Sequence, residues 1–132
     1  MHKLNLAAML CAAALTARAE TVVIVNKANP ATRMFSEQAA QFFLGKSNMF
    51  TPVDQAESSA IRAEFYHKVA DKDPAQVKAI WSKLVFTGKA TAPREFGSNA
   101  EVKKAVAADP KAIGYIDKAA LDDSVKMILS LP

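Results

Sequence analysis

The chain predicts an α/β domain, a mixed sheet flanked by helices. Three observations point there. Thr21 to Val25 (TVVIV) is a β-branched, continuously apolar run, the pattern of a strand buried on both faces. Between residues 36 and 109, several stretches carry apolar residues at helical spacing. Ala112 to Ile116 (AIGYI) and the alternating run Ser124 to Leu131 then supply further strands.

The elements follow in order. Asn29-Pro30 ends the first strand with a turn signal. Ser36 is the expected cap of a helix reaching Leu44, with Ala39, Phe42 and Phe43 on its core side and Gly45 as its stop. Phe50 to Val53 reads as a short strand, which Pro52 places at an edge or an end. Glu57 to Ala70 reads as a helix, because Ile61, Phe65 and Val69 recur every four residues. Asp73-Pro74-Ala75-Gln76 opens the next helix with an N-cap, a first-position proline and a Gln three residues on. Its expected core stripe is Val77, Ile80, Trp81, Leu84 and Val85, and Gly88 closes it. Residues 89 to 96 are expected to form a loop. Ser98-Asn99-Ala100-Glu101 spells a full capping box, and Val102, Ala105 and Val106 form the stripe behind it. In the final strand, Val125, Met127 and Leu129 are expected on one face, with Lys126, Ile128 and Ser130 on the other.

Residues 1–19 read as an address. Lys3 is followed by the apolar run Leu4 to Leu15, and Ala17-Arg18-Ala19 gives a small-x-small cleavage pattern before Glu20. These are the three regions of a secretory signal peptide. The run is too short for a membrane span, which needs about 20 apolar residues. The expected product is a periplasmic domain, residues 20–132, with no membrane span. Removing the leader also removes Cys11, the one cysteine. That excludes thiol catalysis and zinc–thiolate sites in the product.

Charge narrows the function. The chain has 17 Lys+Arg and 13 Asp+Glu, and two of the bases, Lys3 and Arg18, lie in the leader. The remaining balance gives no clustered basic face, so no nucleic-acid partner is expected. No G-x-S-x-G nucleophile elbow occurs. His67 follows Glu64 by three residues, but no second such pair exists to complete a metal site, and His67 reads as a surface residue. No enzyme activity, metal or cofactor is expected.

The middle of the chain carries the candidate site. A strand ending near Asp54 feeds a helix starting near Ser58. The first N–H groups of a helix lack partners and sit at the positive end of its dipole, which suits an anion. Ser58 and Ser59 add hydroxyls, and Arg62 lies one turn further along. A guanidinium there can pair with two oxygens of an oxyanion. The competing reading makes Ser58 an ordinary cap and Arg62 a solvated side chain. Gly97-Ser98-Asn99 is a second candidate helix start.

Three segments together resemble the substrate-binding components of phosphate ABC transporters. They are VVIVNKANP with FSEQAAQFFLGK, then PVDQAESSAIRAEF, then GSNAEVKKAVAADPKAIGYID. The resemblance implies a type II periplasmic binding fold, of which this chain would form one lobe. It implies phosphate or a related oxyanion as ligand, bound around Ser58, Ser59, Ala60 and Arg62. In that family a Ser-Gly-Thr turn holds the phosphate. Ser58 matches its Ser, while Ser59 and Ala60 stand where the Gly and Thr would be, and Asp54 stands where a basic residue is common. The implied partners are an ABC transporter permease or a second copy of the chain. The alternative is an accessory or protein-interaction domain that keeps the lobe fold without binding solute.

Overall fold

The computed structural model describes residues 20–132. The expected signal peptide lies outside those residues. Five strands form one sheet: β1 (Thr21–Val25), β2 (Thr51–Gln55), β3 (Arg94–Phe96), β4 (Ala112–Asp117) and β5 (Lys126–Leu131). The helices are α1 (Ser36–Phe43), α2 (Ala60–Ala70), α3 (Pro74–Phe86) and α4 (Asn99–Ala108). Strand order is β3-β2-β4-β1-β5. β2 runs parallel to both β3 and β4, while β1 is antiparallel to β4 and β5. The sheet is therefore mixed, as expected.

Two apolar layers bury it. Val23 and Val25 join Phe42 and Phe43 of α1, Phe65 and Val69 of α2, and Val77 and Trp81 of α3. Val22 and Ile24 point the other way, onto Val102 and Val106 of α4. This is why TVVIV shows no polar alternation: both of its faces are covered. Trp81 donates its indole N–H to the Phe43 carbonyl at 2.8 Å, so its one polar atom is satisfied within the core. Asn26, just past β1, donates from Nδ2 to the carbonyls of Val106 and Ala107, both at 3.0 Å. It thereby satisfies the last carbonyls of α4.

Several boundaries differ from the sequence reading, each for a physical reason. α1 is capped from Phe35 rather than Ser36, and the Gln38 side chain accepts the Phe35 N–H at 2.9 Å. The Asp73 box forms in full, with 2.9 Å bonds in both directions between Asp73 and Gln76. At α4, Ser98 accepts from the Glu101 N–H at 3.2 Å, which is half of the expected box. The supposed loop before it contains β3, a strand of only three residues, formed by parallel pairing with β2. Such a strand is too short to show a period. Val85, expected in the core, is exposed. In β5 a bulge opposite Val23 and Ile24 interrupts the alternation. Ile128 is thus buried, whereas Met127 is left partly in water.

Candidate functional site

β2, β3 and α2 meet at the place where the sequence puts its anion site. The turn at Glu57-Ser58 leads into α2, which starts at Ala60 behind the N-cap Ser59, two residues after the expected start near Ser58. Ser58 is exposed, Ser59 is half-buried, and Ala60 is the exposed first residue of the helix. Ser58 is therefore not the cap. Ser59 occupies the cap position, yet its hydroxyl makes no cap hydrogen bond. No acidic residue lies in the first turn of α2 to occupy the positive end of its dipole. Ser58, Ser59 and Ala60 are thus brought together at an open helix start.

Arg62 points elsewhere. It is buried beneath the turn, and Nη1 donates to the Gln55 carbonyl at 2.8 Å. The same nitrogen lies 3.0 Å from Glu95 Oε2 and 3.8 Å from Asp54 Oδ2. Nε is buried without a hydrogen-bond partner. Arg62 is therefore neither solvated nor free: it links the end of β2 to β3. Burial works to lower its pKa, but Asp54 and Glu95 together hold it above the ordinary value, so it stays charged.

Sequence reasoning missed the group that holds Arg62. Asp54 is buried at the end of β2 and accepts from the Tyr66 hydroxyl at 2.6 Å and from the Gln55 N–H at 2.8 Å. Tyr66 is on Oδ2, while the Tyr115 hydroxyl donates to Oδ1, the oxygen that also accepts the Gln55 N–H. Burial pushes the Asp54 carboxyl above its ordinary pKa, against the two tyrosine hydrogen bonds and the Arg62 charge. Burial and the Asp54 charge likewise raise both tyrosines, so they remain donors. The sequence reading ended the strand near Asp54; the strand runs on to Gln55, and a side chain buried there has to find internal partners. Glu95 gave no signal, because β3 itself was not recognised.

The second candidate, the start of α4, has its Ser98 hydroxyl committed to capping. Asn99 is committed too: it accepts from the Gln55 amide at 3.0 Å and donates to Asp117 at 2.9 Å. His67 is exposed and lies 3.7 Å from Asp71. Among the described residues, no group of three or more His, Cys, Asp or Glu could hold a metal ion. No helix among them is long and apolar enough to cross a membrane.

Beside Arg62 lies a recess of about 470 Å³. α3 contributes Trp81, Val85 and Phe86 to its wall, and the segment before β3 contributes Pro93.

No protein-family model matches the chain, and no curated protein does. Solved structures do. A phosphate ABC transporter substrate-binding protein from Clostridium perfringens, solved with phosphate bound, superposes with a TM-score of 0.67 at 20% identity. An ABC-type phosphate transport receptor from Vibrio cholerae gives 0.67 at 23%. The chain has the fold of one lobe of such a receptor. PstS from Borrelia burgdorferi, at 0.57 and 14%, agrees. Each match covers 83% of this chain, but only 44%, 46% and 46% of the respective receptors. This lobe thus spans about half the length of the proteins it resembles. The likeness is one of fold, and the two neighbours at 0.67 are transport proteins.

Proposed function

We propose that the domain is a secreted solute-binding module that holds phosphate, or a related oxyanion, at the start of α2 and serves an ABC transporter from the periplasm. One observation carries the reading: Ser59 stands at the N-cap with its hydroxyl unspent. A serine at that position ordinarily uses its hydroxyl to cap. Here the hydroxyls of Ser58 and Ser59 and the N–H groups of Ala60 and Ile61 remain for a ligand, while the Arg62 N–H is taken by the Ser59 carbonyl at 3.2 Å. The solute-binding fold of the solved neighbours, one of them with phosphate bound, supports the same ligand class. Arg62 acts from behind, as a fixed positive charge that anchors the turn through Gln55.

The module would bind weakly. Half of the anion stays in water, where charges are screened. A dissociation constant of about 1 mM corresponds to roughly 4 kcal/mol, within reach of a helix terminus and two hydroxyls. Calorimetric titration with phosphate, sulfate and molybdate tests the reading. Binding that is lost in a Ser58→Ala, Ser59→Ala double variant is the expected result. Binding that survives in that variant refutes the assignment.

A second reading has its own observation. Asp54 and Glu95 offset the Arg62 charge, and exposed Glu57 lies in the turn itself. That balance suits an accessory lobe that contacts protein without holding solute. Absence of heat with all three oxyanions at millimolar concentration selects it.

A further inference from the structure

One face of α3 is uncovered. Val77 and Trp81 turn toward the core. Lys78, Ser82 and Phe86 follow at steps of four, with Val85 three residues after Ser82, which places them on an adjoining face. Phe86 is 91% exposed and Val85 47%. A lone exposed ring needs no explanation, and Phe35 is exposed elsewhere, but Phe86 and Val85 form one apolar patch with an adjoining recess. The recess holds about 470 Å³ and is walled mainly by apolar groups of Trp81, Val85, Ala92 and Pro93. Both signs of charge stand around it, in exposed or half-exposed pairs that a partner could re-pair: Lys78 lies 3.7 Å from Glu57, and Glu95 3.0 Å from Arg62.

We propose that this face is a two-fold interface between two copies of the chain, with Phe86 of each copy seated in the recess of the other. A two-fold interface brings a patch against itself in reverse. A patch that carries a projection beside a hollow, and a cation beside anions, is complementary to itself under that operation. Lys78 of one copy then faces the acidic rim of the other. An unrelated partner would need the hollow or the ring, but has no use for both side by side. Rings seated in desolvated pockets dominate interface energies, which gives Phe86 the central role. The recess shares Glu57 and Arg62 with the surroundings of the oxyanion site, but that site makes no use of Phe86, so a Phe86 variant reads the interface alone.

Sedimentation velocity on the purified protein over a wide concentration range tests this. The expected result is a reversible monomer–dimer equilibrium. Phe86→Asp should raise the dimer dissociation constant about thirtyfold or more, the loss typical of a central anchor. Ser82→Arg, on the same exposed face, should also disperse the dimer. Far-UV circular dichroism of both variants should match the wild type, because neither side chain is in the core. The single tryptophan, Trp81, borders the recess, so its emission should shift to longer wavelength on dilution in the wild type but not in Phe86→Asp. A wild type that is monomeric at every concentration overturns the proposal and leaves the recess to a small ligand or a different protein. A dimer that both variants leave intact also overturns it.

Discussion

The Tyr66 hydroxyl donates to Asp54 Oδ2 across 2.6 Å, tying the second turn of α2 to the end of β2. Both residues are buried, so neither can exchange this bond for one with water. Hydrogen bonds to charged groups contribute about 1.5–3 kcal/mol. Tyr66→Phe keeps the ring and removes only the donor. It should destabilise the domain by about that amount, read from the urea midpoint. A variant unfolding at the wild-type midpoint would show that Tyr115, the Gln55 N–H and Arg62 satisfy the carboxylate without it.

The same carboxylate gives a pH signature. Burial raises the Asp54 pKa in the folded state above its ordinary value of 3.8. Below that value the group is protonated whether folded or unfolded. As pH rises from there through the folded pKa, the unfolded chain releases its proton first, so the stability contributed by Asp54 is lost over that window. The stability of the wild type relative to Asp54→Asn should therefore fall as pH rises just above 3.8. Denaturation of both proteins across acidic pH reads the difference. A difference that grows with pH would mean that Arg62 and the tyrosines outweigh burial.

Ser59 and Ser98 make a matched pair. Both are N-caps, yet only Ser98 uses its hydroxyl, accepting from the Glu101 N–H. Ser98→Ala should cost about 1 kcal/mol, the usual value for a cap. Ser59→Ala should cost little. Parallel thermal melts check this, and equal losses in the two variants would show that Ser59 caps after all. A small cost at Ser59 also lets any loss of oxyanion binding in that variant be read as a loss of ligand contact.

Gly114 sits in β4 under α4. A Cβ there would lie 2.9 Å from Val102 Cγ1 and 3.1 Å from Val106 Cγ2. Both valines are fully buried and have no room to withdraw. Gly114→Ala should therefore destabilise by about 1–3 kcal/mol, the range for an overpacked core. Restored stability in a Gly114→Ala, Val102→Ala double variant would identify the clash as the cause. A single variant as stable as the wild type would mean that α4 can shift outward.

The strands and helices that the sequence declared are those with long local patterns. TVVIV, the Asp73–Gln76 box and the stripe through Val77 and Trp81 each repeat a physical preference over several residues. Local energetics and tertiary packing agree there. The start of α2 is visible as a cluster of small polar residues, so Ser58, Ser59 and Ala60 could be placed together from sequence. Their division of labour could not, because a cap is defined by backbone dihedrals at a single residue.

Arg62 marks the boundary between the two kinds of information. Its charge and its distance from Ser58 are properties of the sequence, and they make it a credible oxyanion ligand. Its actual partners come from Gln55 and Asp54 on β2 and Glu95 on β3, brought in by a parallel strand pairing across about 40 residues of chain. The three-residue strand β3 exists only because β2 offers it a ladder, so no local pattern announces it or its glutamate. The β5 bulge is of the same kind: alternation alone groups Met127 with Val125 and Leu129, whereas pairing with β1 buries Ile128 and leaves Met127 39% exposed. Sequence by itself determined the α/β class, the two-sided burial of β1 and the location of an open helix start. Only the tertiary structure decided which charges are spent internally, because burial and strand pairing set the partners of a side chain, and neither is a property of its neighbours in sequence.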